Sequence, residues 1–101
     1  MINLITCCNK QFLDKAIKCL TSSFEIDSNI KYTIYIFGDE SIDIQIPYYI
    51  SVKKIPEDIK NLNDPYLFAY KYWAILDSFL EYDHVIYTDA THFINKSLLN
   101  I

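Results

Sequence analysis

Asp89 is the residue whose position most clearly invites chemistry. The run Val85-Ile86-Tyr87 ends in Thr88-Asp89-Ala90-Thr91, so a carboxylate followed by small residues stands where an apolar segment stops. A carboxylate at such a place can hold a metal ion or a sugar hydroxyl, and it can equally cap a turn, where Asp is common. Cys7 and Cys8 are adjacent thiols, a second set of reactive groups. A nucleophilic pair would need a His beside them, and nothing in the order of residues places His84 or His92 there. With Gly38 as the only glycine there is no glycine-rich phosphate loop, and no Gly-x-Ser-x-Gly elbow is present.

The elements that must position Asp89 follow from the apolar pattern. Ile2–Thr6 reads as a first strand. Asn9 can cap a helix in which Phe12, Leu13, Ala16, Ile17 and Leu20 recur at helical spacing, ending near 22–24. Tyr32–Phe37, rich in β-branched and aromatic residues, reads as a second strand broken by a turn at Gly38. The stretch from Asp39 to Tyr49 is an edge strand or an extended loop, limited by Pro47. Ile50–Ile55 alternates as a third strand. Asp64-Pro65 starts a second helix, with a capping carboxylate and proline at the first helical position. Phe68, Tyr72, Ile75, Leu76 and Phe79 form its apolar stripe. Val85–Thr88 is the fourth strand.

The order β-α-β-β-α-β predicts an α/β fold: a Rossmann-like, mostly parallel four-stranded sheet with right-handed crossovers and strand order 3-2-1-4. Ligands of such sheets bind at the carboxyl ends of the strands, where the strand order reverses. That point falls between the first and fourth strands. The loops Thr6-Cys7-Cys8-Asn9 and Thr88-Asp89-Ala90-Thr91 are expected to converge there.

Composition bounds the function classes. A length of 101 residues, 51% hydrophobic and 22% charged, argues for a single domain, 1–101, with a packed core. The nine Tyr and six Phe supply much of that core. A net charge of −4 with scattered lysines argues against a nucleic-acid surface. No run is long enough to span a membrane, and the start has no basic, apolar leader, so the expectation is a soluble cytoplasmic protein. The odd count and spacing of Cys7, Cys8 and Cys19 argue for buried thiols rather than a disulfide framework or a zinc site.

Three segments carry a resemblance to a family. They are Ile2-Asn3-Leu4-Ile5-Thr6 with its polar loop, Tyr66 through Leu76 as a helix with an aromatic and basic face, and Tyr82-Asp83-His84-Val85-Ile86-Tyr87-Thr88-Asp89-Ala90-Thr91. The last resembles the "EYDxVIYxDAD" segment of GT-A-type glycosyltransferases. The chain as a whole looks like their N-terminal, nucleotide-binding half. The resemblance implies a nucleotide-diphospho-sugar donor, with Thr6, Cys7 and Cys8 at the base and ribose. It also implies a divalent cation, Mn²⁺ or Mg²⁺, bridging the diphosphate, which neutralises charge on the leaving group. Asp89 matches the first Asp of the family's Asp-x-Asp motif, and Thr91 stands where the second would be.

His92 is a further possible ligand, although a lone His is more often structural. In such a fold Asp39 either approaches the base or ribose or belongs to a solvated turn. Lys71 either offers a point charge to the diphosphate or lies on the helix surface, and Trp73 reads as core. Members of the family are considerably longer, so on this resemblance the expectation is a truncated gene product, a fragment, or a minimal relative completed by a partner chain or a second copy. The expected function is therefore nucleotide-sugar binding for sugar transfer. The alternative is a non-catalytic interaction module derived from such an enzyme, and a third possibility is an α/β enzyme of another class that uses Cys7 or Cys8.

Overall fold

The computed structural model describes residues 1–38, 41–56 and 68–100. Asp39 and the expected helix start at Asp64-Pro65 lie outside the described residues. The elements are β1 (Ile2–Cys8), α1 (Leu13–Phe24), β2 (Lys31–Ile36), β3 (Ile50–Lys54), α2 (Phe68–Phe79) and β4 (His84–Tyr87). A single 3-10 turn, Lys10–Phe12, leads into α1, and another, Leu98–Asn100, follows β4. Residues 41–49 contain no strand, so the extended-loop alternative holds there.

The four strands form one sheet in the order β3-β2-β1-β4. Every pairing is parallel: Asn3 opposes Lys31, Tyr32 opposes Ile50, and Ile2 opposes His84. This is the expected α/β sheet, with helices on both faces as parallel sheets require. β1 is one of the two inner strands and runs two residues beyond the expected Thr6, as far as Cys8.

Alternate residues of β1 serve the two faces. Leu4 and Cys8 join Leu13, Ala16, Cys19 and Leu20 of α1 with Tyr32, Ile34 and Ile36 in one core cluster. Ile5 joins Tyr35, Ile55, Tyr70 and Ala74 in the other, beneath α2. Phe24 stacks on Tyr49 at 3.8 Å between ring centroids, and the Tyr49 hydroxyl lies 2.6 Å from Thr21 Oγ1, which binds the 41–49 loop to the end of α1. After β2, Gly38 has φ of 101°, a left-handed conformation that favours glycine and makes the expected turn.

α2 is rotated relative to the apolar stripe. Tyr70, Ala74 and Ser78 face the sheet, while Tyr72, Leu76 and Phe79 are exposed. Of the stripe residues whose side chains are described, only Ile75 packs inward. The reason is polar anchoring. Tyr35 donates its hydroxyl to Asp77 Oδ2 at 2.8 Å, Lys53 reaches the same oxygen at 3.2 Å, and Asn3 donates to Ser78 Oγ at 2.8 Å. Each of the buried Tyr35, Asn3 and Ser78 polar groups would cost about 1–3 kcal/mol if left without a partner, comparable to the burial forgone at an exposed Leu or Phe. The small side chains of Ala74 and Ser78 also let the helix lie close to β1.

The chain after β4 runs back over α1. Ile94 N–H donates to Ser22 Oγ at 2.9 Å, and Ala90, Ile94 and Leu98 pack against the α1 cluster. Asp27, only 4% exposed, accepts from Ser97 Oγ at 2.6 Å and from the Leu98 N–H at 2.7 Å. Among the described residues no helix is long and apolar enough to cross a membrane.

Candidate functional site

A cleft of about 330 Å³ opens at the carboxyl ends of β1 and β4. That volume is at the lower end of the range for small-molecule sites. The end of β1 supplies Cys7 and Cys8, and the turn after it supplies Asn9 and Phe12. Phe37 enters from the end of β2 and Lys71 from α2. Tyr87, Asp89, Ala90 and Thr91 come from β4 and its following turn. The two loops therefore converge as the strand order requires, because β1 pairs with β4 in register and the ladder continues past β4 through Thr88 N–H to Ile5 C=O at 3.0 Å.

Local geometry fixes several walls. Asn9 caps the 3-10 turn, its Oδ1 accepting from the Phe12 N–H at 3.3 Å, which sets Phe12 at the cleft mouth. Phe37 stacks on Tyr70 at 4.4 Å, so one aromatic wall is braced by α2. The Lys71 Nζ sits 4.5 Å from the Tyr87 ring centroid, a cation–π contact that keeps the ammonium in the cleft. The Asp89 carbonyl accepts from Cys19 Sγ at 3.7 Å and from the His92 N–H at 3.2 Å, so the turn is tied down while the carboxylate stays exposed.

The expected site residues divide clearly. Cys7, Cys8, Lys71, Asp89 and Thr91 all line the cleft. Thr6 does not: it is fully buried within the sheet, and its Oγ1 has no hydrogen-bond partner. Asp39 lies outside the described residues. Trp73 is half-buried against Tyr35, edge to face at 6.1 Å, as core packing requires. Asn9, Phe12, Phe37, Tyr87 and Ala90 line the cleft without having been singled out as ligand contacts. A signal for them is present in the sequence, since Tyr87 ends β4 and the other four follow the carboxyl end of a strand by one to four residues.

The thiols are poor nucleophiles. All three cysteines are free. Burial, reinforced by the neighbouring Cys8, pushes the Cys7 thiol up to about 12, and burial pushes Cys8 up to about 11. Burial likewise raises the Tyr87 hydroxyl, with Cys7 and Asp89 adding to the effect. A thiol ionising near 12 is about one part in ten thousand thiolate at pH 8.

The donor set for a cation is sparse. Asp89 offers one carboxylate and Thr91 a hydroxyl, and His92 Nε2 stands 4.0 Å from Asp89 Oδ2. Among the described residues no group of three or more His, Cys, Asp or Glu side chains could hold a metal ion. These oxygens suit an ion that arrives with phosphate oxygens, as Mg²⁺ does when held by one or two carboxylates, rather than an ion caged by protein alone. No family model, curated protein or solved structure matches the chain. What the fold and site define is a class: a parallel α/β sheet with a mixed aromatic and polar cleft at its switch point.

Proposed function

We propose that the chain is a GT-A-like domain that binds a nucleotide-diphospho-sugar in the cleft between the ends of β1 and β4. The observation that carries this reading is the convergence of Asp89, Thr91 and Lys71 with aromatic walls at the carboxyl edge of a parallel sheet. Phe12 and Phe37 offer rings to a base. Lys71 offers its ammonium to the diphosphate. Asp89, with Thr91 beside it, would hold a Mn²⁺ or Mg²⁺ ion that enters with the donor. When bound, that ion would offset the negative charge of a departing diphosphate. The chain's own residues bind and orient the donor, and nothing in the cleft identifies a catalytic base.

The test is calorimetric titration of the folded protein with UDP, GDP and their sugars, with and without Mn²⁺. Saturable binding to at least one is expected, and binding to none would sink the proposal.

A second reading, that of an interaction module, is favoured by one observation. Leu76 on the outer side of α2 is 69% exposed and Leu80, in the turn just after the helix, is 83% exposed, and Tyr72 and Phe79 are exposed with them. A contiguous apolar ridge of this kind suits a protein contact. On this reading the chain would self-associate or bind another chain, and light scattering across a concentration series would read the self-association.

A further inference from the structure

A second hollow, of about 270 Å³, lies between α1 and the turn that follows β4. Lys15 and Lys18 line it from the helix, and His92 and Phe93 line it from the turn. Ala90 and Thr91 belong to both hollow and cleft, so the two cavities share a wall. The hollow gathers cations on a chain whose net charge is −4.

The polar groups facing it are unevenly paired. Lys18 Nζ pairs with Asp14 at 3.0 Å, and His92 Nε2 faces Asp89 at 4.0 Å. Lys15 has no carboxylate partner among the described residues; its Nζ rests 5.6 Å from the Phe12 ring centroid. An ammonium over an aromatic face, with no carboxylate pairing it among the described residues, is available to an oxyanion, and Lys binds phosphate as a point charge. Beside these cations Phe93 leaves 74% of its surface in water. The ring gives an apolar platform next to the two lysines, which inorganic phosphate would not use.

We propose that the hollow binds the phosphoryl group of an organic phosphate monoester, with Lys15 and Lys18 taking the oxyanion and Phe93 the organic part. The inference rests on the hollow alone and stands whether or not the cleft takes a nucleotide-sugar.

The experiment titrates phenyl phosphate and inorganic phosphate separately into the full chain at fixed ionic strength, followed by amide chemical shifts. Saturable shifts at residues 15–18 and 90–93 are expected, with phenyl phosphate at least about fivefold tighter than inorganic phosphate. The double variant Lys15→Ala/Lys18→Ala should weaken phenyl phosphate about tenfold or more, as expected for loss of both phosphate-pairing ammonium groups. Phe93→Ala should erase the preference for the ester. Lys31→Ala, at the opposite end of the sheet, should change nothing. Lys15, Lys18 and Phe93 are exposed, so these variants keep the fold, which circular dichroism checks. Absent saturation, shifts spread over all the lysines, or wild-type affinity in the double variant would overturn the site. Equal affinity for the two phosphates would overturn the assignment of an organic carrier.

Discussion

Thr6 and the paired cysteines sit one after another on β1 and make different demands. The buried Thr6 Oγ1 lacks a partner, so it contributes a desolvation cost with no compensating bond. Thr6→Val keeps the β-branched shape and removes that cost. We predict a stability gain of about 1 kcal/mol, read by urea unfolding, with ligand binding unchanged. Loss of binding in Thr6→Val would instead return Thr6 to the site. The thiols set an alkaline limit. The folded state raises Cys7 and Cys8 from an ordinary 9.0 to about 12 and about 11, so folding favours their neutral forms. Their contribution is fully present below pH 9 and is lost as pH rises through the folded values, because the unfolded chain releases its protons first. The melting temperature should therefore fall progressively between pH 9 and pH 12, and a Cys7→Ser/Cys8→Ser variant should fall less steeply. Slow alkylation of both thiols at pH 8 belongs to the same account, and rapid alkylation of the folded protein would contradict it.

At the scale of elements, strand identity and order were legible because β-branched and aromatic runs separated by helical spacing leave little choice of topology. The rotation of α2 was not. Its apolar stripe pointed to Tyr72, Leu76 and Phe79, yet the inward face is chosen by Asp77 and Ser78, whose partners Tyr35, Lys53 and Asn3 lie on other strands. A pattern within one helix carries no information about those partners. The 3-10 turn Leu98–Asn100 was equally hidden, since its anchor is Asp27, about 70 residues earlier in the chain. The cleft was half legible: Asp89, Lys71 and the Cys7-Cys8 loop follow from the switch point, whereas the aromatic walls depend on how Asn9 and Tyr70 set their neighbours. Asp27→Ala should cost about 1–3 kcal/mol, because it removes the carboxylate that accepts from the partly buried Leu98 N–H and Ser97 hydroxyl, as denaturant unfolding would show. It should also loosen residues 90–100, read as faster amide exchange at Ile94 and Leu98. An unchanged midpoint would mean that the segment is held by apolar packing alone.

For the molecule as a whole, the cleft and the α2 ridge offer separate routes to function. Leu76→Lys and Leu80→Lys change exposed positions, so each should alter stability by less than about 0.5 kcal/mol. If the ridge mediates self-association, the pair should shift the protein to a monomer in light scattering; an unchanged mass would remove the ridge from that role. Neither substitution touches the cleft, so the nucleotide-sugar binding proposed for it should be the same in these variants as in the wild type. The central claim is that Asp89 holds a cation brought by a nucleotide-sugar, and a paired calorimetric experiment tests it most directly. Wild type and Asp89→Ala are titrated with the tightest-binding nucleotide-sugar, each with and without Mn²⁺. The account predicts that Mn²⁺ tightens binding to the wild type about tenfold or more and that Asp89→Ala abolishes this gain while leaving metal-free binding nearly intact. An equal gain from Mn²⁺ in both proteins, or no binding by folded wild type, would contradict it.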